Sequence, residues 1–118
     1  MDQKEEILDK AQRIVFNYKQ NYIDKETTIC QLEGLKKELT DEIIENDLIP
    51  QIELISREYN VNIRRTKKLV ERTKEGAIAP YLNNNDQINL NEKGAYDQIQ
   101  EILKERLEPL THILDQFY

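Results

Sequence analysis

Residues 55–70 read ISREYNVNIRRTKKLV, a short apolar helix pattern followed by a turn signal and a basic helix pattern. The three residues at 60–62, Asn-Val-Asn, are too few for a flexible linker, and asparagine tolerates left-handed backbone angles, so they predict a tight turn. Ser56 is small enough to lie where the two helices cross, and Val61 provides an apolar contact at the turn. The segment therefore predicts a helix-turn-helix over residues 51–75.

The second helix of this motif lies in a basic part of an acidic chain. The 118 residues include 17 Lys or Arg and 23 Asp or Glu, which gives a formal net charge of −6. Residues 57–74 contain seven basic and two acidic side chains and carry +5, which leaves −11 for the rest. Because counterion release from DNA depends on local positive charge, this segment favours a nucleic-acid partner. The alternative interpretation is an ordinary solvated helix face.

The residues after the basic helix have the pattern of a β-hairpin. Residues 77–82 read AIAPYL, residues 83–86 read NNND, and Ile88 and Leu90 alternate with polar neighbours. Helix, turn, basic helix and hairpin in this order are typical of a winged helix-turn-helix. In that fold the basic helix enters the major groove and the hairpin, or wing, extends beside it. The predicted wing spans residues 77–90.

Amphipathic helices flank this motif on both sides. Apolar side chains recur at spacings of three and four over residues 2–22 and again over residues 92–117. Pro109 is expected to kink or split the second of these helices because it removes a backbone donor. A further helix follows the first, with Thr27 or Thr28 as its expected N-cap.

The predicted fold is a single domain over residues 1–118, mainly α with a small β-hairpin: a winged helix-turn-helix with N- and C-terminal flanking helices. A chain of this length buries only about two-thirds of its unfolded surface, so a second copy is expected to complete the core. The alternative is that the terminal apolar stripes form an intramolecular core. The residues predicted at the homodimer interface are Ile7, Ala11, Ile14, Tyr18, Ile99, Leu103, Leu110 and Phe117.

The side chains expected to contact double-stranded DNA are basic or amide groups of the second helix and the wing. Those in the first turns of the helix are expected to reach base edges or phosphates, and those further along to neutralise phosphates. The wing amides would hydrogen-bond to sugar or phosphate. The predicted DNA-binding residues are Asn62, Arg64, Arg65, Lys67, Lys68, Arg72, Lys74, Asn84, Asn85 and Gln87.

Three parts of the chain carry a resemblance to a known family. They read LISREYNV at 54–61, LVER at 69–72 with EGAI at 75–78, and LNEKG at 90–94. These segments resemble the MarR-like winged-helix regulators, and the last is similar to the Leu-Thr-Glu-Lys-Gly that opens the helix after the wing in that family. The resemblance covers residues 54–99 and implies a homodimeric, repressor-like protein that binds a pseudo-palindromic operator.

Some positions depart from the pattern of that family. Thr66 and Thr73 stand where it usually has apolar residues, and Asn60 replaces the turn glycine. The wing tip at 84–87 reads NNDQ and lacks the Asp-Arg pair whose arginine enters the minor groove. We therefore expect weaker or more salt-sensitive DNA binding, or a wing adapted to a protein.

The acidic remainder of the chain carries a second hypothesis from another class. An acidic surface can imitate nucleic acid or dock on a basic partner. The chain would then be an acidic helical protein that binds another protein, as an inhibitor, an antirepressor or an immunity-type protein of a mobile element.

The sequence has no pattern that indicates an enzyme, a metal or cofactor site, or a membrane protein. Cys30 and His112 each stand alone, and Cys30 is expected to be a buried structural thiol because it shares an apolar stripe with Ile29 and Leu32. No phosphate loop or catalytic set is recognisable, so we expect no enzyme activity, no cofactor and no metal. No apolar stretch approaches the ~18 residues of a membrane span and no signal-peptide pattern begins the chain, so we expect a cytoplasmic protein.

Overall fold

A computed structural model describes residues 2–75 and 89–118, which are almost entirely helical. Within these two ranges there is no strand, and no helix is both long and apolar enough to cross a membrane. The elements in chain order are α1 (Gln3–Lys19), α2 (Lys25–Ile43), a π-helical turn (Ile44–Leu48), a 3₁₀ turn (Ile49–Gln51), α3 (Ile52–Tyr59), α4 (Ile63–Glu75) and α5 (Leu90–Asp115).

The predicted winged fold, mainly α with a β-hairpin, is therefore wrong. Leu90, predicted as the end of the second strand, is the first residue of α5. The side-chain Oδ1 of Asn89 accepts hydrogen bonds from the N–H groups of Asn91 and Glu92, each at 3.1 Å, and so starts the helix there. The alternation of Ile88 and Leu90 was too short to exclude a helix start. The rest of the predicted wing, residues 77–88, lies outside the described residues.

The chain divides into two compact units. We call Met1–Glu42 with Arg106–Tyr118 the terminal unit, and Ile43–Glu105 the central unit. The prediction of one domain over residues 1–118 stays a prediction.

The terminal unit has an apolar core. Its buried residues are Ile7, Ala11, Thr28, Leu32, Leu35, Leu39, Leu107, Leu110, Leu114 and Phe117. The rings of Tyr18 and Phe117 meet edge to face, with centroids 5.2 Å apart and an interplanar angle of 77°. The hydroxyl of Tyr118 donates a hydrogen bond to the carboxylate of Glu33, and this bond raises the pKa of Tyr118.

Aspartate side chains cap both N-terminal helices of this unit. Asp2 accepts from the N–H of Glu5 at 3.0 Å, and Asp24 accepts from the N–H of Thr27 at 2.7 Å. The prediction of Thr27 or Thr28 as the N-cap of α2 was therefore wrong. The acceptor lies just before them, and Thr28 is the fully buried residue of the first turn.

Pro109 does not split the last helix. α5 continues through it to Asp115, although proline cannot donate to the carbonyl of Glu105. Buried leucines on either side, Leu107 and Leu110, anchor the helix to the core of the terminal unit, and this packing offsets the missing bond. Of the predicted kink or split, the split is therefore wrong, and the kink stays a prediction.

Most residues predicted at a homodimer interface are buried within the single chain. Ile7, Ala11, Leu110 and Phe117 belong to the core of the terminal unit, and Ile99 and Leu103 to that of the central unit. Ile14 and Tyr18 are half-buried. This placement is the one that the intramolecular interpretation predicts. The homodimer stays a prediction, but six of these eight side chains have almost no exposed area to offer a partner.

Cys30 is exposed, so the prediction of a buried thiol was wrong. It lies on α2 between Ile29, which is half-buried, and Leu32, which is fully buried. Each residue of a helix is rotated by about 100° from the one before it, so Cys30 is about 200° around the axis from the buried Leu32. Neighbouring apolar residues in the sequence therefore do not place the thiol in the core.

Candidate nucleic-acid interface

The central unit contains the predicted helix-turn-helix. α3 ends at Tyr59, and Asn60 has φ 54° and ψ 47°, the left-handed conformation that asparagine adopts more readily than most residues. Val61 donates its N–H to the carbonyl of Ser56 at 3.0 Å and is buried. α4 begins two residues later, at Ile63. The prediction of a tight turn between two helices is confirmed.

Two buried hydroxyl groups hold the turn against both helices. Ser56 on α3 donates to the carbonyl of Val61 in the turn. Thr66 on α4, which is fully buried, is within hydrogen-bond distance of Ser56 Oγ at 3.3 Å and of the carbonyl of Asn62 at 3.1 Å. Threonine at position 66 therefore packs as a core residue while its hydroxyl links α4 to α3 and the turn.

Asn62 is the N-cap of α4. Its side-chain Oδ1 accepts from the N–H of Arg65 at 2.7 Å, which satisfies one of the unpaired donors of the first turn. The predicted role of Asn62 was direct contact with DNA. Its side-chain oxygen caps the helix, and the residue is exposed at the N-terminal end of α4. The contact with DNA stays a prediction.

One face of α4 is exposed and carries most of the positive charge. Its residues recur at i, i+3, i+4, i+7 and i+8, the spacing of a single helix face. They comprise four cations and one carboxylate, and we call them the α4 face: Arg64, Lys67, Lys68, Glu71 and Arg72, all exposed. The opposite side carries the buried residues Thr66, Leu69 and Val70. Of the residues predicted to bind DNA, Arg64, Lys67, Lys68 and Arg72 are thus brought together.

Arg65 is not part of this face. Its Nε lies 2.7 Å from the Oε1 of Glu92 at the start of α5, and the two side chains are only 26% and 17% exposed. A charge-assisted bond between partly buried groups holds the arginine against α5. Arg65, which was predicted to contact DNA, therefore links α4 to α5.

The first half of α5 packs on the helix-turn-helix at three further points. A Cβ added to Gly94 would lie 2.8 Å from the ring of Tyr59, so only glycine allows this approach of α5 to the end of α3. The hydroxyl of Tyr59 lies 3.3 Å from Gln98 Oε1, and Gln100 donates to Thr73 Oγ1 at 3.0 Å. The two contacts at Tyr59 thus join α5 to α3, and the bond to Thr73 joins α5 to α4 on the side opposite its exposed face.

The other predicted DNA-contacting groups are not placed by the structure. Lys74 belongs to α4, but its side chain lies outside the described part. Asn84, Asn85 and Gln87 of the predicted wing lie outside the described residues as well.

Two residues of this site were missed from the sequence. Glu71 lies within the basic face, which the helical period of α4 was sufficient to show. Glu92 neutralises Arg65 from 27 residues away, and no local pattern contains that information.

No protein-family model matches this chain, and neither a curated protein nor a solved structure is significantly similar to it. The resemblance to MarR-like regulators therefore stays a prediction from the residues quoted above.

Proposed function

We propose that this protein is a small sequence-specific DNA-binding transcriptional regulator that contacts duplex DNA through the α4 face. The observation that carries the proposal is the exposure of Arg64, Lys67, Lys68 and Arg72 on one side of a helix. That helix is set against α3 by a left-handed turn and a buried hydroxyl pair. A recognition helix needs this combination of a fixed crossing and a cationic outer face.

The dimensions of α4 suit the major groove. An α-helix with its side chains is about 10–12 Å across, which fits a groove about 12 Å wide. Positions i, i+3, i+4 and i+7 are those from which a helix lying in the groove reaches base edges. Ile63 adds a 53% exposed apolar side chain at the start of α4, suited to contact with a thymine methyl group.

The test is salt-dependent binding to duplex DNA by the full chain and two double variants. Arg64→Ala with Lys68→Ala removes two cations of the α4 face. We expect a loss of about 1–3 kcal/mol for each base-directed contact, and a salt dependence weaker by about 0.9 in log–log slope for each phosphate contact. Lys25→Ala with Lys37→Ala removes the same charge from exposed positions of α2 and is expected to change neither. Equal effects of the two double variants would contradict the proposal.

We propose that the regulator acts as a homodimer through exposed apolar side chains of the terminal unit. Phe16 and Tyr22 are 58% and 73% exposed, and aromatic residues are enriched at protein interfaces. Val15 and Ile113, both half-buried, line a concavity with Phe16. Sedimentation equilibrium of wild type and of Phe16→Glu tests this, with dimer expected for the first and monomer for the second.

A protein partner is the second candidate function, in which the chain is an acidic inhibitor, antirepressor or immunity-type protein. It is favoured by the charge of the terminal unit, whose eight basic and twelve acidic residues give −4. Exposed aromatics on the same unit suit a partner as well as a second copy. Co-purification from the source cell discriminates the two functions, because a stoichiometric protein partner together with no affinity for any duplex would favour this candidate over DNA binding.

A further inference from the structure

We infer that Glu71 determines base specificity by accepting a hydrogen bond from the exocyclic amino group of a cytosine in the major groove. This inference rests on the proposed function and assigns a role to the one carboxylate of the α4 face.

Glu71 lies in the middle of the cationic surface. At 100° per residue it is about 20° from Arg64 around the helix axis, between Lys67 and Lys68. Its side chain is exposed. Any polyanion that binds this face must therefore meet the carboxylate at close range.

No ion pair with a described side chain accounts for this residue. Lys67 precedes Glu71 by four positions, which is the weaker orientation for an ion pair along a helix. Among the described residues, neither ion pairs nor hydrogen bonds occupy the Glu71 side chain. The carboxylate thus reduces the charge of the face from +4 to +3 without an ion pair or hydrogen bond to a described side chain.

The chemistry of DNA restricts what a carboxylate can contact there. Phosphates repel it, and guanine and thymine present acceptors at O6, N7 and O4. Adenine presents its N6 amino donor next to the N7 acceptor, which repels a carboxylate. Cytosine presents its N4 amino donor, the partner that Glu or Asp takes in the major groove. Glu71 is seven residues after Arg64, at the last of the four positions from which a helix in the groove reaches bases. Arg72 follows it and is placed to neutralise a phosphate.

The experiment is selection of bound duplexes from a random-sequence library, followed by sequencing, with the full chain and three variants. Glu71→Gln replaces the carboxylate with an amide, which pairs with the N6 and N7 of adenine, and Glu71→Ala removes the hydrogen-bonding group. Glu101→Gln, at an exposed position of α5, makes the same change of charge away from the α4 face. Circular dichroism of all four proteins checks that their helix content is equal.

Wild type and Glu101→Gln are expected to select cytosine at one defined position of the site. Glu71→Gln should select adenine there, and Glu71→Ala should accept all four bases. Competition between duplexes differing at that one base pair should show roughly tenfold discrimination by the wild type and its loss in Glu71→Ala.

The outcomes separate this inference from its premise. If wild type and Glu71→Gln select the same bases, and the variant only binds every duplex more tightly, then Glu71 acts as a general negative charge and the assignment to cytosine is overturned. If the wild type binds no duplex in the library, the proposed function itself fails and the assignment falls with it.

Discussion

The starts of α2 in the terminal unit and α4 in the central unit are built from the same parts. In each, an Asp or Asn side chain accepts the N–H three residues on at 2.7 Å, from Thr27 to Asp24 and from Arg65 to Asn62. In each, a fully buried threonine four residues after the cap bonds back to the carbonyl of the cap residue.

The two helix starts differ in the hydrogen-bond partners of the threonine hydroxyl. Within residues 2–75 and 89–118, the hydroxyl of Thr28 bonds only to the carbonyl of Asp24 in its own helix start, at 2.7 Å. Thr66 also reaches Ser56 on α3, which in turn donates to the turn at Val61. A helix that only packs in an apolar core needs a cap, whereas a helix that presents side chains to a ligand needs a fixed orientation. The additional link supplies that orientation.

Among the changes that test this contrast, removal of the Ser56 hydroxyl should have the largest effect on stability and DNA affinity. Ser56→Ala leaves the carbonyl of buried Val61 without its side-chain donor and Thr66 without its partner on α3. We expect a loss of about 1–3 kcal/mol in the free energy of unfolding, measured by urea denaturation. DNA affinity should fall as well, because α4 loses its link to α3.

The matched change in the terminal unit is Thr28→Val, which removes one hydroxyl bond. It should cost about 1 kcal/mol in stability and leave DNA affinity unchanged. If Ser56→Ala alters stability by less than about 0.5 kcal/mol, the usual range for surface changes, the buried hydroxyl pair does not fix the turn.

The two caps also differ in charge, and Asn62→Asp tests that difference. Aspartate is as good an N-cap as asparagine and suits the positive end of the helix, so the stability should be retained. The new carboxylate would stand at the end of the DNA-facing helix and repel phosphates. Affinity for duplex DNA should fall on the order of tenfold at low salt and recover relative to wild type as salt screens the charge.

The exchange at the other cap is the control for this experiment. Asp24→Asn changes charge by the same amount on α2 and should leave DNA affinity as it is. An Asn62→Asp protein that binds duplex as tightly as wild type at low salt would show that the start of α4 lies away from the DNA.

Gly34 in the terminal unit and Gly94 in the central unit differ in the space around them. Gly34 on α2 has no atom within 4 Å of an added Cβ, so Gly34→Ala should stabilise the protein by about 0.5–1 kcal/mol through helix propensity. Gly94→Ala on α5 would place its Cβ 2.8 Å from the ring of Tyr59 and should destabilise despite the same gain in propensity. Thermal melts of both variants check this, and two changes of the same sign would contradict it.

These contrasts show which parts of the molecule local sequence could predict. The turn at Asn60 and the exposed cations of α4 follow from a three-residue gap and a helical period, so both were predictable. The pairing of Arg65 with Glu92 joins residues 27 positions apart, and the fit of Gly94 against Tyr59 depends on the approach of two helices. Neither is encoded in a local pattern. At Leu90, the alternation with Ile88 was compatible with either structure, and capping by Asn89 determined that Leu90 is helical.

The smallest expected effect is the dependence of stability on pH, which should come from the charged cap Asp24 and not from the neutral cap Asn62. Hydrogen bonds from the side chain and the N–H of Thr27 lower the pKa of Asp24 below its ordinary value. A carboxyl whose pKa is lower in the folded state stabilises the fold above its unfolded pKa, and this contribution is lost as pH falls through the folded pKa. Asn62, which does not titrate, gives α4 no such dependence.

The stability difference between wild type and Asp24→Asn should thus be constant near neutral pH and shrink below about pH 4, as urea denaturation across that range would show. A difference that stays constant down to about pH 2 would mean that the Asp24 cap does not depend on its charge.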